Sequence, residues 1–364
     1  MNLQSADYLL ARFAHSLQGQ LKLLGDVETE YLGERLETIR IDRPVFITGL
    51  ARSGTTLLLN LVARLPQVAT HRYRDFPFLF VPIAWNRLQG RLGKGAAPVE
   101  RPHRDRIKIT RDSPEAFEEP IWAHFFPWIH DPRALHRLTA SDRNEGFDDF
   151  FRQHLRKLLL LRGGDRYVSK GNYNVTRIEY LADLLPDARF VIPVRHPVSQ
   201  VESLMRQHRL FSDYASKDGR VAQYLQAAGH FEFGPQRVPV NIDPQHACLV
   251  AEAWSTGQDE LGYALMWRSI YSHVRRLAGS DKDLRGRIEI VRYEDLCEDP
   301  AGTLRRVARS CALEKGIQAL LARLPEISPR RPDSVLTDGQ RDAIWQATAG
   351  TAGSLGYGPA QKAA

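Results

Sequence analysis

PVFITGLARSGTTLLLNLVARL, residues 44–65, holds an apolar run, a loop bounded by Gly49 and Gly54, and then an apolar pattern with helical spacing. The run 44–48 is β-prone, and Leu57, Leu58, Leu61, Val62 and Leu65 follow a helical period. Strand, glycine-bounded loop and helix start, in that order, bring backbone N–H groups and a helix N-terminus onto one point. The hydroxyls of Ser53, Thr55 and Thr56 add donors there. Such a cradle takes an oxyanion, a phosphate or a group shaped like one. Its spacing follows GxxxxGK[ST], except that Thr55 stands where the lysine belongs and the loop's cation is Arg52. Hydrolysis of ATP or GTP uses that lysine on the β- and γ-phosphates, so a diphosphate-like group without a third phosphate fits this loop better.

The same grammar recurs outward from the loop. Apolar β-prone runs at 189–194 and 287–291 are each followed by polar residues and a helical pattern, and a shorter run at 166–169 precedes a helix expected over 175–185. Strand, helix, strand repeated in this way predicts an α/β fold: a P-loop-type three-layer α/β/α arrangement with a central parallel sheet and extra helices. Ligands of open parallel sheets bind at the carboxyl ends of the strands, so the residues just after each run are where chemistry is expected. After 189–194 come Arg195, His196 and Pro197, with Ser203 on the helix that starts there; an arginine and a serine so placed can both reach one phosphate. Lys170 follows the run 166–169, and Tyr293-Glu-Asp-Leu follows 287–291.

These motifs, taken together, resemble the sulfotransferases that use 3′-phosphoadenosine 5′-phosphosulfate (PAPS). Gly49-Leu-Ala-Arg-Ser-Gly-Thr-Thr56 is similar to their 5′-phosphosulfate loop, in the branch that carries arginine there, as the tyrosylprotein sulfotransferases do. The resemblance implies that Arg52, Ser53, Gly54, Thr55, Thr56 and Leu57 bind the phosphosulfate, that Arg195 and Ser203 bind the 3′-phosphate, and that Tyr293 faces the adenine. For Tyr293 a packing role beside an acidic helix start stays open. The reaction implied is in-line transfer of a sulfuryl group to an acceptor hydroxyl, less readily an amine, leaving 3′-phosphoadenosine 5′-phosphate (PAP), without a metal. Arg52 and Lys170 would stabilise the transferring charge.

The base is less legible. Asn172 stands where the small-molecule sulfotransferases carry a histidine, and an amide does not accept a proton at neutral pH. In the tyrosylprotein branch a glutamate shortly after the loop helix serves, and the matching region reads His71-Arg-Tyr-Arg-Asp75. Asp75 is the first candidate and His71 the second, with a surface pair of Arg74 and Asp75 as the alternative. The acidic segment 112–119 also resembles a stretch of the family, or is a capped, charge-rich helix start. Acceptor contacts are expected from 73–85, 101–111 and 211–244; a carbohydrate, a lipid-linked or a small-molecule acceptor would each suit some of their aromatics and arginines.

Composition bounds the rest. The chain has 364 residues, 43% hydrophobic and 26% charged, which suits one globular sulfotransferase domain with an N-terminal helical segment over 1–40 and a loose tail over 347–364. The pattern Leu9, Leu10, Phe13, Leu17, Leu21 is spaced like one helix face rather than a secretory core. No run approaches membrane-spanning length, although peripheral membrane contact stays open. Cys248, Cys297 and Cys311 are scattered without a metal-site or disulfide pattern, so a cytoplasmic protein is expected. A formal charge of +7 favours anionic ligands, yet no arginine-aromatic platform for nucleic acid is present in the sequence. A P-loop nucleotide kinase would need the missing lysine and a metal-holding aspartate; a non-catalytic nucleotide- or glycan-binding module is the other alternative. Arg330 and Arg331 are the C-terminal residues offered as an extra phosphate contact.

Overall fold

Alternate residues of the strand at 44–48 point into two different cores. Phe46 packs with one hydrophobic cluster, while Val45 and Ile47 pack with a second on the other face of the sheet. Phe190, Ile192 and Val194 join the first cluster and Val191 the second; Tyr167 and Val168 divide in the same way. A strand buried on both faces is what helices on both sides of a parallel sheet require. The computed structural model describes residues 3–91, 97–105, 107–327 and 334–359. Among them the strands are β1 (Val45–Ile47), β2 (Val68–Ala69), β3 (Val99–Glu100), β4 (Lys108–Ile109), β5 (Arg166–Lys170), β6 (Arg189–Val194) and β7 (Ile288–Arg292). Five form a parallel sheet in the order β2-β5-β1-β6-β7, and β3 and β4 pair separately as an antiparallel hairpin.

The helix Thr55–Val62, together with Pro300–Ser310 and Ile317–Leu321, covers one face through Leu58, Leu61, Leu304, Val307 and Leu320. Glu145–Arg162, Ile178–Leu184, Pro197–Lys217 and Asp259–Ser280 cover the other. This is the three-layer α/β/α fold. The segment expected as one helix over 175–185 opens with a 3-10 turn, Asn172–Thr176, before its α-helical part. Among the described residues no helix is long and apolar enough to cross a membrane.

One expectation changes. The stretch from Ala347 is not loose over its described part: Asp338–Ser354 is a helix that buries Ile344, Thr348 and Ala352, and the Tyr357 hydroxyl donates to the Val194 carbonyl at 3.0 Å and to Glu294 at 2.7 Å. Small side chains there permit close helix packing. At the other end the face of Leu9, Leu10 and Phe13 lies in solvent, 62%, 37% and 56% exposed, while Tyr8, Ala11 and Ala14 are buried. The alanines let the helix Ser5–Ser16 approach Arg220–Ala227, and the Tyr8 hydroxyl donates to Gln223 at 2.5 Å.

Candidate active site

The glycine-bounded loop leaves β1 and enters the helix Thr55–Val62, whose first-turn amides have no partner within the helix. Gln200, fully buried, donates to the Ala51 carbonyl at 3.0 Å and accepts from the Trp267 indole at 3.0 Å, which fixes the loop from beneath. The Thr55 hydroxyl donates to Asn172 Oδ1 at 3.4 Å. Gly54 has φ +103°, and a Cβ there would stand 2.8 Å from Cδ2 of Tyr293, so any other residue would displace that ring. Ser53 departs from expectation: its side chain is fully buried, beside Gly49 rather than in the cleft.

The second strand end meets the first. Pro197 begins the helix after β6, and Ser203, Arg206, Gln207 and Leu210 recur along one face of it. Arg52, at φ +70°, donates from Nε to the Ser203 hydroxyl at 3.1 Å. The Arg195 guanidinium lies over the Tyr293 ring, 4.8 Å from its centroid. Arg52, Gly54, Thr55, Thr56, Leu57, Arg195, Ser203 and Tyr293 thus line one cleft of about 480 Å³ at the carboxyl ends of β1, β6 and β7. Glu294, next to Tyr293, has a different duty: it accepts from the His196 amide at 3.0 Å, at the entry to the helix Pro197–Lys217.

The β3–β4 hairpin supplies a further wall, and Pro325, Glu326 and Ile327 another. The basic run 101–111 was assigned to the acceptor by sequence, yet Arg101, His103, Arg104, Asp105 and Ile107 line this cleft. Asp105 accepts from Arg52 Nη1 at 3.1 Å and from Arg101 at 2.5 Å. Burial pushes its carboxyl up, but Arg101 and Arg52 outweigh burial and hold it at about 2. Burial lowers Arg52 to about 10 against the pull of Asp105. An internal carboxylate therefore sits against the loop's own cation.

Lys170, at the end of β5 opposite Ile47, lies 3.5 Å from Glu115. Glu115 also accepts from the Tyr73 hydroxyl at 2.6 Å and lies 3.6 Å from Arg101. Burial raises it, Lys170 and Arg101 pull harder, and it stands at about 2. Neither candidate base reaches the cleft. Asp75 is fully buried and accepts from Arg162 at 2.5 Å, from Asn86 at 2.9 Å and from the Arg72 amide at 2.8 Å. Burial opposes ionisation, yet His71 and Arg162 hold it far below the usual carboxylate range. His71 stacks between Asp75 and His154, its Nε2 3.0 Å from His154 Nε2, with 1% exposure. The surface-pair alternative fails as well, since the partner of Arg74 is Asp112.

The acidic segment divides. Asp112 is an exposed partner of Arg72 and Arg74, Glu118 accepts from Tyr167 and Asn174, and Glu119 pairs with His130 and Arg177 at the start of the helix Glu119–Phe125. Beside the cleft, a second cavity of about 140 Å³ is bounded by parts of 73–85 and 211–244, and His103 belongs to both spaces. Sequence reading missed His103, Asp105 and Arg206. The face spacing from Ser203 could have found Arg206; nothing in the basic run singles out the other two. Arg330 and Arg331 lie outside the described residues.

Comparison with known proteins bears on the family and the fold. A profile described as the sulfotransferase family matches residues 44–239, more than half of the chain, which spans the loop, Lys170, Arg195 and Ser203. The crystal structure of a sulfotransferase from Mycobacterium avium superposes with a TM-score of 0.50 at 16% identity, covering 90% of this chain and 81% of that one, and shares its fold. A sulfotransferase structure from Mycobacterium tuberculosis H37Rv gives 0.45 at 16% identity over 91% and 83% of the two chains. No curated protein matches the chain.

Proposed function

We propose a reaction from one premise: the chain belongs to the sulfotransferase family. The donor is PAPS and the acceptor group a hydroxyl. The phosphosulfate lies on the loop 52–57, the 3′-phosphate between Arg195 and Ser203, and the adenine against Tyr293. The observation that carries this reading is the 3.1 Å bond from Arg52 to Ser203, because it joins two anion-binding clusters, remote in sequence, in one cleft. A ligand with anionic groups at both ends of a nucleoside matches that pairing.

Sulfuryl transfer loads negative charge onto the leaving phosphate, so cations already in place there lower the barrier. Arg52 takes that role, and it exchanges Asp105 for the ligand's oxygens. Arg101 lines the cleft, while Lys170 lines neither the cleft nor the neighbouring cavity; both are buried beside Glu115 and supply positive potential toward the transferred group. Buried charges act strongly because water does not screen them. The kinase alternative loses ground at Thr55, which is bonded to Asn172 and occupies the place of the phosphate-binding lysine.

PAP should raise the melting temperature well above the shift given by ATP or by adenosine 5′-phosphate, and Arg195→Ala should abolish the advantage of PAP. Equal shifts from all three nucleotides would remove the 3′-phosphate site. Saturable PAP binding with no release of PAP from PAPS in any acceptor mixture would favour a binding module instead.

A further inference from the structure

We propose that the small cavity beside the cleft takes an apolar alcohol of one-ring size, phenol being the type case, and that His103 accepts its proton. The inference rests on the donor reading above and adds to it the acceptor and the base. Phe76, Phe117, Phe211, Leu225 and Phe233 make most of the cavity wall, joined by the rings of Tyr73 and Tyr224 and by His103, Glu115 and His230. Apolar cavities of roughly 150 Å³ hold a benzene ring, and this one measures about 140 Å³. A sugar placed there would leave most of its hydroxyls without partners.

His103 is common to the cavity and the cleft, so a hydroxyl beside its ring faces the loop that holds the donor. Its Nδ1 is buried and has no hydrogen-bond partner, and its ring meets Phe211 edge-on at 5.1 Å. Burial first, then Arg101, Arg52, His230 and Lys170, push its pKa well below the ordinary histidine value, so the imidazole is neutral and has a free lone pair, and the cation formed on taking a proton is short-lived. Of the carboxylates in the same walls, Asp105 and Glu115 are each already tied to arginine or lysine, and Glu326 lines the cleft but not the cavity. Glu115 is a poor proton acceptor at about 2, and burial and Glu115 raise Tyr73 well above 10, which keeps its hydroxyl protonated. His230 borders the cavity but not the cleft.

In the step, the acceptor oxygen forms a bond to sulfur while the bond from sulfur to the bridging oxygen breaks. The bridging oxygen leaves on PAP with the electron pair, and the acceptor proton passes to His103. The products are the sulfate ester, PAP and one proton, later released to solvent.

The test uses the full-length protein, PAPS, and three acceptors: phenol, 4-nitrophenol and N-acetylglucosamine. The wild type should turn over both phenols and leave the sugar unchanged. His103→Gln should bind PAP as the wild type does and lose about 10²–10⁴-fold in kcat on phenol. On 4-nitrophenol at mildly alkaline pH, where the acceptor is already ionised and needs no base, the loss should be less than about tenfold. Equal losses on the two phenols, or full activity on phenol, would overturn the role of His103. Ala228→Phe, which fills the cavity, should raise KM for phenol and keep PAP binding; an unchanged KM would move the acceptor elsewhere. Turnover of the sugar but not of phenol would sink the acceptor class while leaving the donor reading intact. Absence of PAP binding to the wild type would instead sink the donor reading.

Discussion

Two histidine–carboxylate clusters stand near the loop, one sealed and one open. In the sealed cluster, His71, Asp75 and His154 hold one another with Arg162 and Asn86, and exposure of His71 and Asp75 is 1% and 0%. In the open one, His103 and Glu115 border a cavity, and His103 borders the donor cleft too. The short turn Tyr73–Asp75 separates them: the Tyr73 hydroxyl reaches Glu115 on the cavity side, whereas Asp75 faces Arg162 in the interior. An offset counted from the loop thus locates the neighbourhood, and the side of a single turn decides between chemistry and architecture.

The largest expected effect tests the sealed side. Asp75→Ala leaves Arg162 charged, buried and short of its main partner, and should cost about 3–5 kcal/mol in denaturant unfolding. Turnover per folded molecule should stay within about twofold of wild type. A stable variant that has lost activity would reverse the two clusters' roles. On the open side, Arg195→Ala should weaken PAP binding by about 10–100-fold, roughly 1.4–2.8 kcal/mol, in calorimetry, with little change in unfolding.

Acid acts on both clusters in the same direction. His103 and His154 are buried with pKa values depressed below the ordinary 6.5, so the unfolded chain takes up protons first. More protons on the unfolded state means that stability rises with pH; it should fall as pH drops below about 6.5, by up to about 1.4 kcal/mol per unit per histidine. His136, His208 and His273, lowered by burial to about 4, act in the same direction. The depressed carboxylates Asp75, Glu115 and Glu119 contribute stability that is present above their unfolded value near 4 and is lost as pH falls through their folded values. Unfolding midpoints that are flat between pH 7 and 5 would contradict neutral buried imidazoles. The smallest effect is expected from Asp105→Asn, which frees Arg52 of its internal carboxylate and should tighten PAP binding by roughly 3–10-fold, about 1 kcal/mol.

Residues 44–65 and 189–203 made the fold legible because a strand buried on both faces, a glycine-bounded loop and a helix start are all local signals. The meeting of Arg52 with Ser203 was also legible, through the rule that ligands bind at strand carboxyl ends. β2 was not, since two residues, Val68 and Ala69, form no period. The tail was misread because glycine, alanine and threonine suggest disorder locally but also permit the tight packing of Thr348 and Ala352. Leu9, Leu10 and Phe13 were read as one helix face, and they lie on the helix Ser5–Ser16; periodicity names a face without saying whether anything covers it. His103 and Asp105 were hidden because a hairpin over a cleft is a tertiary arrangement, and a basic run looks the same beside donor or acceptor.

The bond from Arg52 to Ser203 has a mechanical side. The helix after the loop belongs to the layer below the sheet, and the helix bearing Ser203 belongs to the layer above it. A guest bound at both sites would add a third clasp to those that Arg52–Ser203 and Gln200–Ala51 already make between the two layers, so its binding should slow amide exchange along that carboxyl edge.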